Sequence, residues 1–250
     1  MAFSYSPKIV TDGLILCYDP ANTNSFVSGS TSMYDLTKNV YTSSLINGPV
    51  YSGEAMGSIS LDLTDDRIEF SNLGNITDGT VSIWFKNNSA VTTATTNAFI
   101  FEFTSGATLG TQNFTAVLGN VAFAASRVEL LSVYLWSNIS TVVGCYTASD
   151  LPITGSTIPV GWYNLVVARD SVGTRVYFNN VLLGAPSQGV NISIIPTSSV
   201  PFIFSSWNWN ANKIGRILGG LSSHFSVYNR ALTTAEVNRN YQALKNRFGL

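Results

Sequence analysis

VYNRALTTAEVNRNYQALKNRFGL, from Val227 to Leu250, closes a chain otherwise written in short β-type runs. Thr233 stands three residues before Glu236, the spacing of a capping box. There a hydroxyl and a carboxylate each satisfy a backbone N–H that has no intrahelical partner. Leu232 and Val237 occupy the staple positions on either side. Val237, Tyr241, Leu244 and Phe248 recur at helical spacing as one apolar stripe. Lys245 and Arg247 fall in the last turn, where positive charge suits the helix dipole, and Gly249 can stop the helix. Asn238, Arg239, Asn240, Gln242 and Asn246 fall off the stripe, which predicts a solvated face. The stretch predicts one short α-helix over residues 233–248, docked by a single face on the protein's own sheets across an edge or an end.

Upstream, strand signals recur at short intervals. SISLDLTDDRIEF (Ser58 to Phe70) alternates at Ile59, Leu61 and Leu63, turns at Thr64-Asp65-Asp66, and alternates again at Ile68 and Phe70, which predicts a hairpin with one apolar face. GLILCYD from Gly13, TVSIWFK from Thr80, AFIFEFT from Ala98, NFTAVLG from Asn113 and RVELLSVYLW from Arg127 are further runs of strand length. GWYNLVVARD from Gly161 leads into TRVYFNNVLLG, where Asn179-Asn180 fits a two-residue hairpin turn. PFIFSSW, NKIGRI and SHFSVYN add three more. About a dozen strands at irregular spacing predict an all-β, antiparallel β-sandwich, a closed barrel being the rival. Without repeats, charge blocks or linkers, residues 1–250 are expected to form one domain, with residues 1–12 as an N-terminal arm.

Hydrophobic residues make up 45% of the 250, enough for a sizeable core without metals or disulfides. Only 11% are charged, against roughly 25% in an average soluble domain, and Ser, Thr, Asn and Gly fill the gap. A net charge of −1 gives no electrostatic reason to expect nucleic acid or an anionic membrane as a partner. No apolar run reaches membrane-span length, and MAFSYSPKIV lacks the basic and apolar regions of a secretory leader. Cys17 and Cys145 each lie in an apolar run and are expected as two buried free thiols, a disulfide between them being the alternative.

Several stretches together resemble the concanavalin A-like, laminin-G-like jelly-roll family. GLILCYDPANTNSF followed by MYDLTKN is similar to the opening of such domains. TVSIWFK is similar to the aromatic central strand, and GWYNLVVARDSVGTRVYFNNVLLG to the strand–hairpin pair. GGLSSHFSVYNRALTTAEVNRNYQ is similar to the closing motif. SISLDLTDDRIEF resembles the Phe-Asp-Gly hairpin, but Leu61 and Leu63 replace the Phe and the Gly. The resemblance spans nearly the whole chain in consistent order and implies the fold. The opening and closing motifs together resemble structural proteins of tailed bacteriophages.

For chemistry, a glycosidase needs two carboxylates converging from one strand face, and no Glu-x-Asp-x-x-Glu strand occurs. Glu102 and Glu129 lie in separate runs and could meet only across the fold. His224 is the single histidine and has no nucleophile-elbow motif beside it. No enzyme is expected. Relatives of the fold often bind Ca²⁺ through loop carboxylates, and here Asp62, Asp65 and Asp66 would supply them, helped by Asn72 or Asp78. The alternative is an aspartate-rich turn, which is preferred, so no cofactor is expected. In SSWNWNANK, Trp207 and Trp209 would share one strand face beside Asn208 and Asn210, as a stacking shelf for sugar. The alternative, which is preferred, is that both tryptophans pack against the sheet or an oligomer neighbour.

These readings lead to a non-enzymatic virion structural protein, a capsid decoration or tail accessory component on the particle surface. It would contact other virion subunits and form a homo-oligomer. The second reading is a carbohydrate-binding module that attaches to a surface glycan.

Overall fold

The computed structural model describes residues 7–62, 64–92, 98–104, 113–118, 131–138, 141–147, 157–183, 202–204 and 219–250. In chain order the strands are β1 (Leu14–Tyr18), β2 (Ser32–Tyr34), β3 (Thr42–Ile46), β4 (Val50–Ser52), β5 (Ser58–Leu61), β6 (Arg67–Phe70), β7 (Gly79–Asn87), β8 (Val91–Thr92) and β9 (Ala98–Thr104). There follow β10 (Asn113–Leu118), β11 (Leu131–Asn138), β12 (Thr141–Thr147), β13 (Thr157–Ile158), β14 (Gly161–Asp170), β15 (Gly173–Phe178), β16 (Val181–Leu182), β17 (Phe202–Phe204) and β18 (Gly220–Tyr228). A 3-10 turn spans Glu54–Met56. The chain ends in α1 (Thr234–Leu244) and a second 3-10 turn, Lys245–Phe248.

Two antiparallel sheets form the sandwich. The first runs β16-β15-β14-β7-β18-β5-β4, and the second β12-β11-β10-β9-β17-β6-β3-β2. One edge of β18 is shared, by β5 over Gly220–Ser222 and by β1 from Phe225 to Tyr228. Between those halves β18 slips register against β7, so Ser223 and His224 sit at a bulge. Gly220 closes this seam, because a Cβ there would come within 1.9 Å of the Lys86 carbonyl oxygen.

Inward-facing residues of the two sheets fuse into one core that includes Ile59, Ile68, Phe70, Ile83, Phe85, Leu165, Val167 and Phe225. The Phe70 and Phe225 rings, one from each sheet, stack at 5.2 Å. The hairpin expected between Ser58 and Phe70 is not formed. β5 pairs in the first sheet and β6 in the second, so residues 62–66 carry the chain from one sheet to the other. Alternation does not distinguish the two cases, since Ile59 and Leu61 still face Ile68 and Phe70 across the core. The turn at Asn179-Asn180 is as expected. Both residues have φ near +47° to +67°, the left-handed values of a tight hairpin turn, joining β15 to β16.

The C-terminal helix keeps its predicted start. Thr233 Oγ1 accepts from the Glu236 N–H at 3.3 Å, and the Glu236 carboxylate accepts from the Thr233 N–H at 2.9 Å. Arg230 grips that carboxylate with both terminal nitrogens and holds its pKa down to about 2. The helix does not cover an edge. It lies on the outer face of the first sheet, where Tyr241 and Phe248 stack on Trp84 of β7 and Phe248 meets Trp162 of β14. β7, β14 and β18 are therefore buried on both faces, which a sandwich strand with one wet face would not be. Asn240 was expected in solvent but is buried. It accepts from the Val10 N–H at 2.7 Å and donates to the Tyr228 hydroxyl at 3.0 Å. A helix on a broad sheet buries a wider stripe than one meeting a narrow ridge, and position 240 lies three residues after Val237 on that stripe. Among the described residues, no helix is long and apolar enough to cross a membrane.

Candidate functional site

With its first sheet roofed by the helix and the arm, the sandwich has one other broad face, the outer side of the second sheet. Pleating decides what it presents. In β6, Ile68 and Phe70 point into the core, so Arg67 and Glu69 point outward. Registry then places Ser44 of β3 beside Glu69 and Ser32 of β2 beside Ser44. In the other direction Glu69 pairs through position 203 with Glu102 of β9, which pairs with Thr115 of β10. One transverse row thus carries two hydroxyls, two carboxylates and a third hydroxyl. Its β9–β10 end is buried, whereas Ser44, Thr42 and Tyr34 are exposed at the other end.

Two contacts order this end. Arg67, itself largely buried, donates through Nε to Glu69 at 2.7 Å, the two side chains being 10% and 17% exposed, and no described residue accepts from its terminal nitrogens. Thr42, in register with Tyr34, is tied to Ser71, whose Oγ donates to the Thr42 carbonyl at 2.9 Å. Tyr34 is 51% exposed on the outermost strand, so one edge of the surface carries an accessible ring. A fixed carboxylate, a guanidinium with unengaged donors, hydroxyls and an aromatic ring form a set suited to a polyhydroxylated ligand.

Asp62, Asp65 and Asp66 are brought together at the β5–β6 crossing, with one oxygen of each within 4.8 Å of the others. Much of their capacity is already engaged. Asp62 Oδ1 accepts from the Thr64, Asp65 and Asp66 N–H groups, and these bonds, Thr64 first, hold its carboxyl below the usual range. Asp66 Oδ2 accepts from the Asp62 N–H at 2.9 Å, while burial raises its carboxyl. The expected helpers lie elsewhere. Asn72 caps its own turn by accepting from the Gly74 N–H, and the charge of Asp78 acts on Arg169.

Trp207, Asn208, Trp209 and Asn210 lie outside the described residues, as does Glu129. Cys17 is a buried free thiol, and the side chain of Cys145 lies outside the described residues. Cys17 Sγ is 3.5 Å from His224 Nε2, but burial pushes the thiol up to about 12 and the imidazole down to about 4. Such a neutral, enclosed pair is not an activated nucleophile. Beside it Arg247 donates to Asp19 at 2.7 Å and 2.9 Å, to the Ala55 and Gly57 carbonyls, and to Ser223 Oγ. Arg247, expected only to complement the helix dipole, is instead a structural tie.

No family model matches the sequence, and no curated protein matches it. Among solved structures the chain resembles domain 4 of AbnA, a GH43 extracellular arabinanase from Geobacillus stearothermophilus, in complex with arabinotriose. The TM-score is 0.59 at 17% identity, over 92% of this chain and 98% of that one. It also resembles a structure of botulinum neurotoxin type C described with two ganglioside molecules, with TM-score 0.63 at 11% identity over 93% of this chain and 51% of that one. A sialidase from Trypanosoma rangeli, in complex with sialic acid, gives 0.56 at 10% identity over 98% and 36%. The chain spans about half the length of the toxin binding domains it matches. At these identities the likeness is one of fold.

Proposed function

We propose that this chain is a non-catalytic carbohydrate-binding module whose contact surface is the exposed end of the second sheet. The observation that carries the reading is the Arg67–Glu69 pair standing beside Ser44 on an outer sheet face that ends in exposed Tyr34. Glu69 can accept from a sugar hydroxyl while the Arg67 terminal nitrogens donate to its neighbour, and Tyr34 can cover an apolar sugar face. The neighbours support the class of ligand, since their names record arabinotriose, gangliosides and sialic acid. Binding without hydrolysis is favoured because Arg67 holds Glu69 as the acceptor, whereas glycoside hydrolysis needs one carboxyl of a pair to keep its proton. A glycan array tests the reading, with Tyr34→Ala and Glu69→Gln alongside the unmodified chain. Binding that both variants weaken at least tenfold supports it. Binding that neither variant changes, or no binding to any glycan, overturns it.

A second reading is a virion structural protein on a particle surface, a capsid decoration or tail accessory component that assembles with copies of itself and other subunits. It is favoured by exposed apolar side chains on the outermost strands of the first sheet, Val50 and Tyr51 at one edge and Val181 and Leu182 at the other. Protein composition of purified particles from the source, with light scattering of the isolated chain, checks it. Absence from the particles removes this reading and leaves the first intact.

A further inference from the structure

The charge around this surface selects among saccharides. The residues that lead into β6 are Asp62, Asp65 and Asp66, and they rim the end of the face where β3 and β6 pair. Asn47, just past β3, anchors that rim by donating from Nδ2 to the Asp65 carbonyl at 3.2 Å. Successive outward residues on a strand lie about 7 Å apart, so Glu69, Arg67 and the rim follow one another at that spacing along the face. Asp62 keeps its charge at neutral pH because three backbone N–H groups bond one oxygen. Asp65 carries its carboxylate at the partly exposed tip. Against these and Glu69, Arg67 is the one cation that the described strands of the second sheet carry, and its Nε is already on Glu69; Lys38 lies in the β2–β3 connection at the opposite end.

We propose that the face takes uncharged saccharides and discriminates against sialylated or otherwise acidic ones, because the one guanidinium that its described strands carry is paired and the described rim beside it is carboxylate. This rests on the carbohydrate-binding reading above and sets the chain apart from the fold neighbours described with sialic acid and gangliosides. At separations near 7 Å in water, within the Debye length at physiological salt, each unscreened like charge lowers affinity roughly twofold to threefold. Several together give a discrimination on the order of tenfold, shrinking as salt rises.

The test uses the whole chain and matched pairs of glycans, each sialylated and then freed of sialic acid, at low and high salt. Asp65→Asn serves as the probe variant, because its side chain makes no hydrogen bond to the protein's described residues and its loss leaves the fold untouched. The expected result is binding of the neutral member, weaker binding of the sialylated one, and a gap that narrows in Asp65→Asn and at high salt. Equal or tighter binding of the sialylated member overturns the inference and leaves the carbohydrate reading standing. A gap unchanged by salt and by Asp65→Asn also overturns it, since the discrimination is then steric. Binding of neither member overturns the underlying reading as well.

Discussion

The Phe248 ring lies stacked on the Trp84 indole, centroids 4.2 Å apart and planes 8° from parallel. A residue three from the C-terminus thereby closes the outer face of a central strand, with Trp162 and Leu221 completing the cluster. Phe248→Ala is expected to cost about 3 kcal/mol of stability, and a double-mutant cycle with Trp84 to give a coupling of about 1 kcal/mol. Urea denaturation of the three variants measures both.

Arg247 ties the last turn to Asp19, to the Ala55 and Gly57 carbonyls and to the β18 bulge. Its side chain is 10% exposed, so removing it leaves Asp19 without the Nη1 donor that both its oxygens share. Arg247→Ala should lose about 3 kcal/mol, and Arg247→Lys should recover less than half, because an ammonium cannot reproduce the fork. Equal stability of the Lys variant and the unmodified protein in chemical denaturation would remove the geometric argument.

His224 links stability to pH. Burial, the first cause, depresses its folded pKa from 6.5 to about 4. The unfolded chain then binds the extra proton first, so stability is full above pH 6.5 and falls as pH drops towards 4. The loss from this one group is roughly 3 kcal/mol at the acid end. Urea midpoints between pH 4 and 7 should slope accordingly, and His224→Asn should flatten the slope.

Gly57 has φ +151°, and a Cβ there would lie 2.6 Å from the Ala21 backbone. Gly57→Ala should destabilise by about 2 kcal/mol or more, since backbone rather than a flexible side chain must give way. Gly53→Ala, with nothing within 4 Å, is the control and should shift the thermal midpoint little.

The aspartate turn holds itself together through its own amides. Chelator, or added millimolar Ca²⁺, is therefore expected to move the thermal midpoint by less than about 1 °C, because a Ca²⁺ site needs six to eight oxygens and Asp62 and Asp66 are already engaged. A concentration-dependent rise in scanning calorimetry would mark a bound ion instead.

Local chemistry was readable from the residues wherever it is contained within a few positions. The Thr233–Glu236 box, the Asn179-Asn180 turn and the strand-length run of β7 needed no partner to be recognised. What depends on partners was not. Ile59, Leu61, Ile68 and Phe70 alternate identically in a hairpin and in a crossing between sheets, and only β18 and β3 decide which. Asn240 is polar, so its place under the helix follows from Val10 and Tyr228, which lie 230 and 12 positions away in sequence. The candidate face was missed for a related reason. Ser32, Ser44, Arg67 and Glu69 come from three strands, two of them short, and acquire meaning only through registry.

The arm and the final helix meet on one side of the molecule, where Arg239 donates to the Lys8 carbonyl at 2.8 Å. Both ends of the described chain thus emerge from the roof over the first sheet, opposite the polar face of the second. A tag, tether or surface joined after Leu250 holds the molecule by its back. The proposed contact face on the second sheet then points away from the attachment, ready for immobilised binding measurements in one orientation.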